Sequence, residues 1–380
     1  VDFTFKRLGW FPAAARFTEA IAHTSNFPLA FAFGVFLALS GHMLSRRTWI
    51  RYATPLYANH FTCLVGASGI THKSTAMNLG LEAAGDHLDI PPLRSVTTRQ
   101  GLLLAMMNGG GNAIVVLDEL ATLLTKPKRQ DYAADLLTTL TELYGCPRTA
   151  GTYTRKDPIT VDYCFLSLLA GSTIEWIQSS ITANDLLAGF GNRMTWIVGS
   201  PRPENPWPGR PYWADFSWGT ITDHSGEVLL DENARERWNE YYLRFQGRQR
   251  QAHNFHRTMA ERIPEKILKN VLVQCAWYRT TICDDDILRR AIDWGDYLEA
   301  SLEHLTPHLE DPERQVLAAI KEGRDTRPLL YAHLSAPLGG DRLRRALQNL
   351  RWLSLIKEVD GKLTATGRRG RMKKDVQEVT

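Results

Sequence analysis

With 380 residues, 44% of them hydrophobic and 23% charged, the chain has the make-up of a folded protein of two or three packed units, which excludes a disordered or low-complexity segment. The net charge of +4 is uneven: residues 312–380 hold 15 basic and 8 acidic side chains, and the remaining 311 residues hold 30 and 33. A basic C-terminal end points to a polyanion partner there, while five cysteines without a CxxC pair argue against a zinc site or disulfide framework and fit a reducing, cytoplasmic setting.

Residue 1 is Val rather than Met, which suggests an excised piece with a domain upstream. Residues 1–58 read as a helical lead-in, with apolar residues at helical spacing over 17–21 and 31–39. The longest apolar run, 27–39, is followed by Ser40, Gly41 and His42. It falls short of the ~20 residues of a membrane span, so a buried helix is expected and no membrane contact. Residues 59–200 alternate apolar strands with helices. Strands are predicted at 60–65, 113–117, 161–170 and 194–198, and helices at 74–84 and 131–144. That order predicts an α/β fold with a mainly parallel sheet. Five prolines between 201 and 211 break any regular element and place a domain boundary nearby. A helical domain is expected over 201–310, with strong segments at 233–245, 264–278 and 284–305. From 311 to 380 the pattern is helix, helix, Gly turn, helix, strand, Asp360-Gly361 turn and strand, the order of a winged helix, followed by a basic tail.

The segment 64–75, LVGASGITHKST, follows a strand and opens a helix, which is the setting of a phosphate-binding loop. Its backbone amides at Gly66, Ser68, Gly69, Thr71 and His72, with Lys73, Ser74 and Thr75, are the candidate nucleotide contacts. Lys73 is suited to reach the outer phosphates and Ser74 to hold Mg²⁺. The spacing is one residue longer than G-x-x-x-x-G-K-[ST], and His72 stands where Gly normally precedes Lys, so a reshaped loop is expected. The second strand ends in Asp118-Glu119. There Asp118 is the candidate Mg²⁺ ligand and Glu119 the base that orients and deprotonates the attacking water.

Taken in this order, the motifs resemble the AAA+ helicase cores of minichromosome-maintenance proteins. More closely, they resemble the uncharacterised ATPase domain of phage, plasmid and mobile-element primase-helicases, over about residues 20–305. Minichromosome-maintenance proteins also lack the Gly before the loop Lys. The resemblance implies a polar sensor at Ser172-Thr173 in FLSLLAGSTIEW, with Thr173 as the sensor itself. It implies an arginine finger at Arg193 in GFGNRMTWIV, acting on ATP bound to a neighbouring subunit. It also implies a second sensor arginine at Arg262 in RIPEKILK, and a ring of six subunits.

GTYTRKDPITV at 151–161 suggests a hairpin. In the related helicases a hairpin before the sensor strand lines a channel that grips single-stranded DNA, which makes Tyr153, Arg155 and Lys156 candidates for stacking and phosphate contacts. Arg342 and Arg345 are the DNA candidates on the third C-terminal helix, together with neighbouring Arg344 and Arg351. The expected function is a ring-forming, ATP- and Mg²⁺-dependent DNA helicase or translocase of a mobile-element or phage replication system. The alternatives are an ATP-switched replication initiator or transposition regulator, and a defence or regulatory ATPase with a protein partner.

Overall fold

A computed structural model describes residues 9–124, 130–152, 158–180, 189–306, 309 and 311–367. The chain is a mixed α/β protein. Helices α1 (Pro12–Ala22) and α2 (Leu29–Leu44) come first, followed by a hairpin of strands β1 (Thr48–Tyr52) and β2 (Thr54–Tyr57). Every residue of α2 from Ala30 to Leu44 is buried, as a helix apolar on all sides must be. Among the described residues no helix is long and apolar enough to cross a membrane.

The central sheet holds β3 (Phe61–Val65), β4 (Asn112–Leu117), β7 (Phe165–Ser172) and β8 (Met194–Val198), in the order β4-β7-β3-β8. All of its pairings are parallel. Both faces are covered, so β3, β7 and β8 are buried at every position, and their sequences are accordingly apolar runs without alternation. An isolated parallel bridge, Leu93 to Val115, extends the sheet beyond β4. The register sets Val65 beside both Ser172 and Val198, and Leu117 beside Ala170. From β3 the chain leaves towards β4. After β7 it crosses to the far side of β3 and enters β8. The carboxyl ends of β3 and β7 therefore border a crevice where connections diverge, the usual place for a ligand in an open α/β sheet.

Helices α3 (Lys73–Ala84), α4 (Arg99–Asn108), α5 (Ala121–Leu124) and α6 (Gln130–Leu143) lie between β3 and a small antiparallel hairpin, β5 (Thr149–Thr152) and β6 (Ile159–Asp162). The single strand expected over 161–170 is two strands. The backbone turns at Tyr163, with φ 53°; β6 ends before it and β7 begins after it. Nothing in the apolar run VDYCFLSLLA announces that turn, because Tyr is not a turn residue. Among the described residues, two short helices follow β7: α7 (Ile174–Ser180) and α8 (Phe190–Arg193).

After β8 come β9 (Gly226–Leu230), α9 (Glu232–Gln251), α10 (Asn254–Ala260), α11 (Ile263–Trp277), β10 (Ile282–Cys283) and α12 (Asp285–Leu305). Strands β9 and β10 join β1 and β2 in one sheet, ordered β10-β9-β1-β2. Two strands thus stand in the stretch expected to be a helical lead-in, and residues before 58 and after 201 share that sheet. The proline-rich segment is no linker. It lies along the C-terminal end of α1, with backbone bonds Arg202 N to Asn26 O (2.8 Å), Gly209 N to His23 O (3.2 Å) and Tyr212 N to Ala20 O (3.0 Å). The Arg202 guanidinium adds bonds to Ser25 O (2.6 Å) and Phe27 O (3.0 Å). Of these acceptors, Ala20 O and His23 O belong to the last turn and C-cap of α1, where a helix leaves its carbonyls without partners.

The C-terminal part has three helices, α13 (Asp311–Lys321), α14 (Arg327–Leu338) and α15 (Gly340–Trp352), then a hairpin of β11 (Ile356–Val359) and β12 (Lys362–Ala365). Asp360 (φ 50°) and Gly361 (φ 76°) form its two-residue turn, both in the left-handed region such a turn demands. All five cysteines are buried and free.

Candidate functional site

The loop between β3 and α3 stands at the crevice. Gly66 is buried and its amide donates to Ser172 O at 3.2 Å, which ties the loop to the end of β7. A Cβ on Gly66 would lie 2.6 Å from the Thr71 hydroxyl oxygen, so only glycine admits this closure. Thr71 is buried, and both its amide and its hydroxyl donate to Ala67 O, at 3.3 and 2.9 Å. In this structure those two groups brace the loop from inside. Ser68 and Gly69 (φ 73°) are exposed at the tip. His72 adopts φ 47°, ψ 43°, a left-handed conformation that costs a non-glycine residue roughly 1–2 kcal/mol.

Lys73 begins α3 and is nearly buried, with Nζ donating to Gly66 O (2.9 Å) and Ala67 O (3.5 Å). Burial pushes its ammonium below the ordinary lysine range, and the Glu119 carboxylate is the first charge opposing that shift. Ser74 is exposed and Thr75 half-buried in the same first turn, where helix amides lack intrahelical partners. At the end of β4, Asp118 is exposed and Glu119 half-buried, and Leu120 N donates to Gly171 O at 2.7 Å.

Gly171 is where these parts meet. A Cβ there would stand 2.6 Å from Asp118 O and 3.5 Å from Lys73 Cε. Gly171→Ala must therefore push back the backbone that carries Asp118. The expected cost is about 1–3 kcal/mol of stability. The unfolding midpoint checks it, and an unchanged midpoint contradicts it.

The polar pair after Gly171 divides differently from the expectation. The Ser172 hydroxyl is fully buried with no hydrogen-bond partner, beside Gly66. The Thr173 hydroxyl instead accepts Trp176 N at 3.2 Å and caps α7. Glu175, which composition and spacing did not single out, is a second acid acting on Lys73.

Arg193 and Arg262 lie at the opposite end of the sheet. Both guanidiniums stand 5.9 Å from the centre of the Tyr144 ring, and that ring packs edge-on to Phe61, the first residue of β3, at 5.1 Å. The loop follows the last residue of β3, about 13 Å away at the rise of a strand. Neither arginine is placed to reach the loop of its own chain. Lys269 anchors the same corner: its Nζ donates to Asn59 O and Oδ1, both at 2.7 Å, and stands 3.8 Å from the Tyr144 ring centre. Lys266 donates to Met194 O at 2.6 Å.

No family model matches the chain, and no curated protein matches it.

The buried lysines and histidines predict a pH dependence of stability. Burial lowers Lys266 to about 7 and Lys269 to about 8, whereas in the unfolded chain both keep their protons to about pH 10.4. Between about pH 7 and 10 the unfolded state thus binds more protons, and stability rises with pH. Burial also lowers His42 to about 4 and His60 to about 3. Both are neutral in the fold at pH 6 and both protonate on unfolding, so stability falls as pH drops from about 6.5 toward 4. Urea midpoints are expected to rise through both windows; a fall in either contradicts the assignment.

Of the DNA candidates, Tyr153, Arg155 and Lys156 lie outside the described residues. The strands flanking them are described, and they pair antiparallel with Thr152 opposite Ile159. Arg342 and Arg345 are exposed on α15, whose Leu343, Ala346, Leu347 and Leu350 face the core. Arg344 pairs with Asp341 at 3.0 Å, and Arg327 and Arg351 share Glu358. Both Arg342 and Arg345 thus present their charge outward.

Proposed function

We propose that the chain is an AAA+-type P-loop ATPase with a helical lid and a C-terminal winged helix, working on DNA as a ring-forming helicase or translocase. The observation that carries this reading is the meeting of Lys73 and the Asp118 backbone at Gly171, at the carboxyl end of β3. A lysine braced by loop carbonyls, a helix N-terminus and two acids at the end of β4, one strand beyond β7, make a site suited to a nucleoside triphosphate. Ser74 and Asp118 are the exposed oxygen donors that would hold Mg²⁺, which supplies charge neutralisation at the phosphates. Lys73 holds the outer phosphates, and Glu119 orients a water and takes its proton as that water attacks the terminal phosphorus. Arg193, remote from its own loop, serves a neighbouring subunit. Exposed Arg342 and Arg345 on a basic module support DNA as the partner.

Steady-state ATPase with and without single-stranded DNA tests the reading. Turnover stimulated by DNA and lost in Lys73→Ala is the expected result. The strained His72 and the longer loop favour one alternative, an ATP-switched initiator, which would bind ATP without turnover. Turnover indifferent to DNA would sink the motor and favour an ATPase with a protein partner.

A further inference from the structure

A cleft of about 420 Å³ lies where α10 meets the C-terminal part, walled by Asn254 of α10, Arg327 and Tyr331 of α14, and Arg344, Arg351 and Trp352 of α15. Three arginines and two aromatic rings line it, and among the described residues no acid does. Its walls are joined. Asn254 N donates to Ser354 Oγ at 3.2 Å, and the Trp352 ring packs edge-on to Phe255 at 6.3 Å. Tyr331 and Trp352 are half-buried, so each ring keeps some accessible surface. Arg327 and Arg351 both pair with Glu358; two cations share one carboxylate, and a positive surplus remains. Burial disfavours the charged Arg351 guanidinium and the Arg327 charge adds to that, while Arg351 Nε is buried without a hydrogen-bond partner. Arg344 pairs with Asp341 in solvent, where an ion pair is weak. Arg344 and Arg351, seven residues apart, share a face of α15, whereas Arg342 lies about 160° round the helix axis from Arg344. The cleft is thus separate from the outward charge of Arg342.

Guanidinium forks match the oxygens of a phosphate, and aromatic rings beside them match the face of a base. In a duplex that face is covered by neighbouring pairs, so only an unpaired base can lie against a protein ring. We propose that this cleft holds one unpaired nucleotide of single-stranded DNA, with its phosphate on Arg327 and Arg351 and its base against Tyr331 and Trp352. The inference rests on the reading of DNA as the partner, and it specifies the form that the C-terminal part recognises. The volume is that of a small-molecule site, and a concave cleft with recessed rings excludes the convex surface of a duplex.

The test titrates the full chain into a fluorescein-labelled thymidine dodecamer and, separately, into a labelled duplex of the same length, followed by anisotropy. Tyr331→Ala and Arg327→Ala are each expected to weaken dodecamer binding about tenfold and to leave duplex binding within about twofold of the parent. Tyr331→Phe, which keeps the ring, is expected to bind the dodecamer as the parent does. Arg327→Ala is also expected to reduce the slope of log affinity against log salt by about 0.7, the share of one phosphate on a single strand, and Tyr331→Ala to keep that slope. Should Tyr331→Ala not fold, Arg327→Glu, at a side chain 54% exposed, carries the test with the same expected preference for the dodecamer. Equal loss of dodecamer and duplex binding, or no loss in either variant, overturns the cleft. Competition by inorganic phosphate as strong as by thymidine monophosphate overturns the base contact. Failure of the DNA reading itself looks different: the parent chain then binds neither probe, and the cleft falls with it.

Discussion

Glu119→Gln is expected to lower ATP turnover by about 10²–10⁴-fold, the range for losing a positioned general base, while ATP affinity stays close to that of the parent chain. The substitution keeps the size of a half-buried side chain at the end of β4 and leaves in place the Leu120-to-Gly171 bond that holds the segment. It removes only the carboxylate. That carboxylate is also the first charge supporting the Lys73 ammonium against burial, so the affinity of the variant should fall off at a lower alkaline pH than that of the parent. Equilibrium binding and single-turnover hydrolysis, measured side by side, separate the two effects. Turnover within tenfold of the parent would remove Glu119 from the role of base.

The largest effect on stability is expected at Phe36, fully buried in α2. Its ring stacks on Trp218 at 5.6 Å and Trp277 at 5.4 Å. It also meets Phe11, Phe17 and Phe216 at 5.6, 5.5 and 6.1 Å. These rings come from the start of α1, α1 itself, the stretch after the proline-rich segment, and α11. Phe36→Ala therefore opens a cavity where α1, α2, the segment after β8 and α11 converge, at a cost of about 3–5 kcal/mol. Trp207, 87% exposed on the proline-rich segment, is the contrasting case: Trp207→Ala is expected to change stability by no more than about 0.5 kcal/mol. Urea unfolding of both variants checks the pair, and similar midpoints would mean that the aromatic cluster does not hold the fold together.

Sequence alone read the central strands well, and the reason is local. HFTCLV, AIVVL and MTWIV are short runs rich in β-branched or aromatic residues, each bounded by polar or glycine residues; such runs form strands wherever helices cover both faces. The loop Lys and the acid pair were found in the same way, from their place at strand ends. The β1–β2 hairpin was missed because TWIRYATPLY carries a proline and a turn at Ala53, with φ 60°, in place of an Asn-Gly signal. Its partner strand, β9, comes some 170 residues later in the chain, beyond any local pattern.

What the residues determined by themselves is the chemistry available: a lysine and hydroxyls at a helix start, carboxylates after a buried strand, and exposed arginines on a basic C-terminal helix. These follow from side-chain type and periodicity over a few residues. Tertiary structure alone decided which groups share a place. Register put Gly171 between Asp118 and Lys73, a strand's length put Arg193 and Arg262 out of reach of their own loop, and bonds to α1 turned a proline-rich stretch into a fixed strap. Each outcome depends on contacts between residues far apart in the chain, whose cost in chain entropy is met only when the whole core closes.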